Sequence, residues 1–491
     1  MGVPRPLFRA RSLLFFLAII CLLIWSSPRW TPLTNISIVN PAPNPIKSAQ
    51  DLIEANRKLW PGFETTIKDY TPHEFPIIER EKAPTERFDP EDASPRPDLL
   101  QLDAEDIGFM KKAHAGFTHK ILDSPPELNY VSGTRGLVST AGGSYLPVLV
   151  ISLRMLRRTG STLPMEVFLA NESEYEEYIC DTVLPSLNAS CVVLSHIMDV
   201  SLTKIETYQL KIFAMIFSSF EEILFLDADA FPLERPELLF ESKPFLGTYM
   251  VTWPDFWASS TSPLFYEIAD TYTLPKNFQQ STESGEILIS KKTHSRTLLL
   301  ATYYNYWGPT HFYPLLSQGA AGQGDKETFI AAAIVMTDSY YQVSEPICAL
   351  GHRKEGGGMA GSAMAQFNPI HDYNLTRKGL WRVRGDSAPP PDVFFIHANF
   401  PKFNPATVFE KHDVNPAFLD DGTYTRAWTI PEDVVGQFSN KVDIEKAFWR
   451  EILWTACELE DKFVSWEELD GICAGVKDYW HMVYESDGLP S

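Results

Sequence analysis

From residue 130 onward, apolar and polar positions fall into blocks whose period switches between helix and strand. Leu146, Leu149, Val150, Leu153, Met155 and Leu156 follow the spacing of one helix face over 146–158. Gly142 and Gly143 before that run, and Gly160 after it, mark its ends. Segments 165–170 and 191–194 read as short strands, 210–220 as a helix and 222–226 as a buried strand. Strands alternating with helices predict an α/β domain built on a mixed, mostly parallel sheet. The alternation continues less clearly to about residue 400, and 430–485 predicts helices rich in Trp and Glu.

The first hundred residues differ. Prolines recur from Pro28 to Pro97, and 79–96 is charged with no apolar period. That composition predicts a stem over 28–100, with a short helix admitted over 51–60. Before it, Arg5, Arg9 and Arg11 precede an apolar run at 13–25. This predicts a cytosolic tail over 1–11, a membrane signal-anchor over 12–27 and a lumenal domain over 101–485. A cleaved signal peptide is the alternative. No small-residue cleavage site follows the run, and Pro28 sits badly after a cut at Ser27.

Composition narrows the partners. Hydrophobic residues make up 44% and charged residues 21% of the 491-residue chain, an ordinary globular balance. The formal net charge of -21 argues against a nucleic-acid partner or anionic lipid. Sequons at Asn35, Asn171, Asn188 and Asn374 agree with a lumenal compartment, where disulfides are permitted. Among five cysteines beyond the apolar run, nearest-neighbour pairing as Cys180–Cys191 and Cys457–Cys473 with Cys348 free is the expectation, although sequence alone does not fix connectivity.

The strongest chemical signal is the apolar run Leu224–Phe225–Leu226 ending in Asp227–Ala228–Asp229. Ligand sites of α/β sheets lie at the carboxyl ends of strands. Two carboxylates there form a hard oxygen site for Mn²⁺ or Mg²⁺, able to steady a leaving diphosphate. An acidic turn is the plain alternative. Downstream, His397 follows the apolar run 394–396 as a candidate third ligand, and Lys402 is placed to meet a diphosphate. Lys211, one helix before the acidic pair, either points at the diphosphate or is a solvated helix charge. Glu283, Ser284 and Gly285 lead into Glu286–Ile287–Leu288–Ile289, a stretch that resembles the acceptor-side Ser-Gly strand of GT-A folds. Glycines in 316–329 allow close backbone approach, and Asp325 and Glu327 could hold sugar hydroxyls or assist the reaction. A helix cap at Asp325 is the structural alternative. Trp253 and Asp255 suit sugar stacking and hydroxyl binding, with core packing the alternative for Trp253.

Asp227–Ala228–Asp229 resembles the Asp-x-Asp motif of GT-A nucleotide-sugar glycosyltransferases. In that class the second Asp binds the metal and the first reaches ribose and metal. The His397/Lys402 pair is similar to that of retaining GT-A enzymes of the glycogenin type. Segments 141–147, 159–167, 219–229, 253–255, 283–285 and 318–328 together resemble the fungal Golgi α-mannosyltransferases that branch N-linked mannans. The resemblance spans about residues 130–410. It implies a GT-A-like domain, GDP-mannose as donor, Mn²⁺ as cofactor, and a mannan or N-glycan acceptor. It also implies a type II Golgi membrane protein, in a possible complex with other mannosyltransferases, that transfers with retention. Transfer in α-1,2 linkage is expected, with α-1,3 transfer the close alternative. A lumenal hydrolase and a non-catalytic lectin-like protein are the competing classes.

Overall fold

Alternation along the central strands decides what packs on each face of the molecule. The computed structural model describes residues 49–198, 205, 207–439 and 442–485; the expected tail, anchor and early stem, with Asn35, lie outside them. The strands are β1 (Ile78–Glu79), β2 (Leu100–Gln101), β3 (Val131–Thr140), β4 (Met165–Leu169), β5 (Ala189–Val193), β6 (Phe220–Leu226), β7 (Ala230–Pro232), β8 (Met250–Ala258), β9 (Gln280–Ser290), β10 (Tyr341–Gln342), β11 (Cys348–Arg353), β12 (Met359–Phe367) and β13 (Val393–His397). The longer helices are α1 (Ala49–Asp69), α2 (Ala104–Asp123), α3 (Tyr145–Arg158), α4 (Leu210–Phe217), α5 (Ser295–Tyr306), α6 (Thr328–Met336), α7 (Ile444–Glu458) and α8 (Ile472–Trp480).

The main sheet has the order β10-β8-β9-β6-β3-β4-β5. All its strands run one way except β9, which is antiparallel to both β6 and β8. The expected mixed, mostly parallel α/β sheet is therefore present. Successive side chains point to opposite faces. Leu137, Leu224 and Leu226 thus join one apolar cluster with α3 and α7, while Val138, Ile223 and Phe225 join another with α4, α5 and α6. Arg154 and Arg158 of α3 share Glu451 of α7 at 2.6 and 2.8 Å, tying the C-terminal helices to that layer.

A second sheet, β11-β12-β13-β7, is antiparallel throughout. Three residues separate the end of β6 from the start of its strand β7, so residues 227–229 pass from one sheet to the other.

Over residues 49–100 the expected spacer is corrected. Helix α1 buries Leu52, Trp60, Phe63 and Ile67, a helical stripe hidden among prolines. Trp60 meets Phe213 and Phe217 edge-on at 5.4 and 5.9 Å. Arg96 donates to the carbonyls of Leu274 and Ser259 at 2.7 and 2.9 Å. The disulfides are Cys180–Cys191 and Cys457–Cys473, and Cys348 is free. Among the described residues no helix is long and apolar enough to cross a membrane.

Candidate functional site

The site grows from the sheet-to-sheet passage. At the end of β6 the Asp227 N–H donates to Gly285 O (2.8 Å), and Ala230 N–H donates back to Asp227 O (3.0 Å). The chain then enters β7, whose Ala230 is paired with His397 of β13. Ala398 N–H donates to Asp229 O at 2.9 Å, locking the two segments. This pairing carries His397 to the acidic pair. Its Nε2 lies 3.0 Å from Asp229 Oδ1 and 4.0 Å from Asp227 Oδ2. One ligand atom from each of Asp227, Asp229 and His397 lies within 4.8 Å of the others. Two carboxylates and an imidazole at that spacing fit a hard divalent cation.

Gly285 is what makes room. A Cβ on it would stand 2.7 Å from both Cε1 and Nδ1 of His397, closer than packing allows. Asp229 also pairs with Lys402, whose side chain is 37% exposed and whose ammonium stands 5.8 Å from the Tyr145 ring centroid. Burial opposes charge on Asp229, but His397 and Lys402 override it and hold the carboxyl well below the usual range. Burial likewise opposes a charged His397, and Asp229 overrides it, pushing the imidazole up to about 10.

Lys211 points inward from α4. Its Nζ reaches Asp227 Oδ1 (3.2 Å), Asp325 Oδ2 (3.3 Å), Ser284 O (2.8 Å) and Ser284 Oγ (2.9 Å). Ser284 Oγ donates to Asp325 at 3.2 Å. Glu283 Oε1 accepts from the N–H of Ser284 (3.1 Å) and of Gly285 (2.9 Å), which shapes the turn of β9 at the site. Burial works against the Lys211 ammonium, yet Asp227, Asp325 and Glu283 hold it above its ordinary value. The solvated-charge reading of Lys211 is thereby excluded.

Two expectations are corrected. Trp253 is 0% exposed; its Nε1 donates to Phe367 O (2.9 Å) and its ring meets Phe395 edge-on at 5.2 Å. It joins the two sheets and offers no face to a sugar. Glu327 Oε1 accepts from Ser281 Oγ (2.5 Å) and Thr282 N–H (3.0 Å), so this acid braces the start of α6 against β9. Nor does Asp325 cap α6 with its side chain, which is turned toward Lys211 and Ser284. Asp255 is buried against Lys326 at 2.5 Å. The pair sits beside the glycine-rich loop, where Lys326 also donates to Ala321 O at 3.1 Å.

Comparison with known proteins places the chain. The family model described as "Mannosyltransferase putative" matches residues 134–280 and 272–368. The alpha-1,2-mannosyltransferase MNN22 of Candida albicans is 30% identical over 444 residues, covering 75% of this chain and 75% of the relative. The chain belongs to this mannosyltransferase family. The alpha-1,2-mannosyltransferase MNN21 of Candida albicans is 36% identical over 370 residues, 62% of this chain and 56% of that one. MNN2 of Saccharomyces cerevisiae, also an alpha-1,2-mannosyltransferase, is 31% identical over 375 residues, 62% of each. The chain spans 56% and 60% of the length of the first two curated relatives it matches.

Solved structures give weaker likenesses. The glycosyltransferase GlyE of Streptococcus pneumoniae TIGR4 aligns at TM-score 0.30 and 14% identity, over 43% of this chain and 45% of that one. The galactosyltransferase LgtC aligns at TM-score 0.29 and 9% identity, over 43% and 73%.

Within the family match lie Asp227, Asp229, Glu283, Ser284, Gly285 and Asp325. His397 and Lys402 lie beyond its last residue, and β13 brings them in. Sequence reasoning missed Glu286, a buried acid in β9 that burial pushes up to about 8. Its one legible signal is an acid standing directly before the apolar run Ile287–Leu288–Ile289.

Proposed function

We propose that this protein transfers mannose from GDP-mannose to mannan branches of N-glycans in α-1,2 linkage, as a GT-A-like, manganese-dependent, retaining enzyme of the Golgi membrane. The observation that carries the reading is the convergence of Asp227, Asp229 and His397 at the carboxyl end of β6, flanked by Lys402 and Lys211. Family membership and the names of the curated relatives support mannose transfer and the α-1,2 linkage. GDP as the nucleotide rests on the family resemblance.

Asp227, Asp229 and His397 would hold a divalent ion, and when bound it would supply positive charge to the leaving diphosphate. The chain's own residues do the rest. Lys402, part-exposed at the rim, turns from Asp229 to the diphosphate as a second positive charge. Lys211 holds Asp227, Ser284 and Asp325 in one network, so the carboxylates are oriented before the donor arrives. Asp325, kept beside Ser284 and Lys211, is the acid available to accept from the sugar hydroxyls of the donor. Among the described residues the acids at the site, Asp227, Asp229 and Asp325, are each engaged by Lys211, Lys402 or His397, which supports attack on the same face as the departing diphosphate. Arg5, Arg9 and Arg11 before the apolar run at 13–25 support a single-pass type II topology with the folded part in the lumen.

The test is mannose transfer by the purified full chain from radiolabelled GDP-mannose to an α-1,6-mannan acceptor with MnCl₂. Transfer that EDTA removes and manganese restores is the expected result, with α-1,2 linkage in the product. Absence of transfer by a folded protein that also fails to bind GDP-mannose would overturn the reading.

A further inference from the structure

Trp253, the aromatic expected to meet a sugar, is locked in the core, which leaves that role open. Tyr208 is placed to take it. It belongs to a short turn, Thr207–Gln209, that leads into α4, and it is 58% exposed. Gln209 is turned the other way: it is buried, and its Nε2 donates to Asn305 O at 2.7 Å. Thr207 holds φ at 37°, a value that a β-branched residue adopts only under constraint. The turn is thus set with Gln209 inward and Tyr208 outward.

Two observations put that ring at the sugar end of the site. Tyr208 stands three residues ahead of Lys211, which makes the two neighbours on the helical turn, and Lys211 Nζ holds both Asp227 and Asp325. The ring also packs on Gly324: a Cβ there would stand 3.3, 3.4 and 3.6 Å from Cδ2, Cγ and Cε2 of Tyr208. Gly319 and Gly322 in the same loop serve a positive φ of 73°, but Gly324 does not, so its missing side chain makes room for the ring. The next residue is Asp325, the acid available to sugar hydroxyls. Tyr145, another exposed aromatic at the site, stands 5.8 Å from the Lys402 ammonium and so lies on the diphosphate side. A flat apolar ring beside a hydroxyl-accepting carboxylate matches a pyranose, which has an apolar C–H face and a rim of hydroxyls.

Burial says which pyranose. Lys211 and Asp325 are 5% and 3% exposed, whereas Tyr208 lies at the rim with exposed Ala321 and Gly322. A donor sugar ends at the buried acids, but a glycan acceptor has to continue into solvent. We propose that Tyr208 is the acceptor platform, its open face stacking on the mannose unit that receives the transfer. The inference rests on the mannose-transfer reading of the site.

The test uses the purified full chain and α-1,6-mannan, read in two ways: calorimetric binding of mannan with GDP and MnCl₂ present, and the KM for mannan in transfer from GDP-mannose. Tyr208→Ala is expected to weaken mannan binding and raise its KM about fivefold to tenfold, with the KM for GDP-mannose within about twofold of wild type and the melting temperature unchanged. Tyr208→Phe keeps the ring and is expected to restore most of that loss. Gly324→Ala displaces the ring slightly, and is expected to raise the mannan KM about twofold and to add nothing on top of Tyr208→Ala. A wild-type mannan KM in Tyr208→Ala, or a rise in the KM for GDP-mannose alone, overturns the proposal. If that variant does not fold, Tyr208→Leu decides in the same way, since it keeps apolar packing on Gly324 and removes the flat face. A wild-type protein that binds no mannan also overturns the proposal. One that binds mannan through Tyr208 yet transfers no mannose overturns the transfer reading and leaves the platform standing.

Discussion

His397 Nε2 lies 3.0 Å from Asp229 Oδ1, across 168 residues of chain. Antiparallel pairing of β13 with β7 makes that contact, since Ala230 faces His397 in the register. Asp229 serves His397 and Lys402 together, which makes it the hinge of the site's charge balance. We expect Asp229→Asn to lower mannose transfer by on the order of 10³-fold or more, while circular dichroism and cooperative unfolding persist. Full activity in the variant would exclude the proposed role.

The same pair predicts a proton release. Without metal, His397 is held up to about 10, above its unfolded value, so it contributes stability below its unfolded pKa that is lost as pH rises through about 10. Asp229 is held below its unfolded value, so its contribution is present above that value and lost as pH falls through the depressed one. At neutral pH the imidazole is charged and must shed a proton to bind a cation. Calorimetry in buffers of different ionisation enthalpy should show about one proton released per Mn²⁺ at pH 7, and affinity rising with pH.

Gly285 should tolerate no side chain. A Cβ at 2.7 Å from the His397 ring forces the imidazole to move, and displacements of about 1 Å at such sites cost about 10²-fold in rate. Gly285→Ala should therefore lose about that much activity and bind Mn²⁺ more weakly. A variant with wild-type Mn²⁺ affinity would show that the ring has room.

Trp253 should behave as a core residue. Trp253→Ala is expected to cost about 3–5 kcal/mol of stability, since it empties a wholly buried site and leaves Phe367 O unpaired. Trp253→Phe should lower stability and leave the KM for acceptor unchanged. A rise in KM without loss of stability would restore the stacking role.

Acid sensitivity is expected away from the site. His114 is wholly buried against Tyr304 OH at 2.8 Å, and burial lowers it from 6.5 to about 4. A depressed histidine contributes stability that is full above 6.5 and lost as pH falls through about 4, on the order of 3 kcal/mol. His311 is lowered to about 4 by burial and adds a change of the same sign. Melting temperature should fall between pH 6.5 and 4, and His114→Gln should flatten the slope.

Residues before 100 should prove necessary. A chain starting at residue 100 loses Trp60, Phe63 and Ile67, and uncovers Phe213 and Phe217. We expect it to aggregate on expression, whereas a chain starting near residue 46 should unfold in a single cooperative transition. A soluble, cooperative 100–491 fragment would contradict the packing described.

Much of the site was legible because local pattern reports local structure. The apolar run into Asp227 and Asp229 marked a strand end, and the run into His397 marked another. The α1 stripe was present too, but prolines around it resemble those of a spacer, and a helix carrying Pro61 keeps its identity through packing on α4. Trp253 was ambiguous by nature, because an aromatic ring suits a sugar face and a core equally well.

The sequence by itself determined the alternating α/β pattern, the acidic pair at a strand end and an acidic charge balance. These follow from periods and spacings of a few residues, set by backbone geometry and side-chain chemistry. Only the tertiary structure decided that His397 meets Asp229, that Lys211 points inward, that Glu327 braces β9, and that Glu286 lies unpartnered beside the site. Such contacts depend on which strands pair and in what register. That choice is made by burial summed over the two apolar clusters, and no window of sequence contains it.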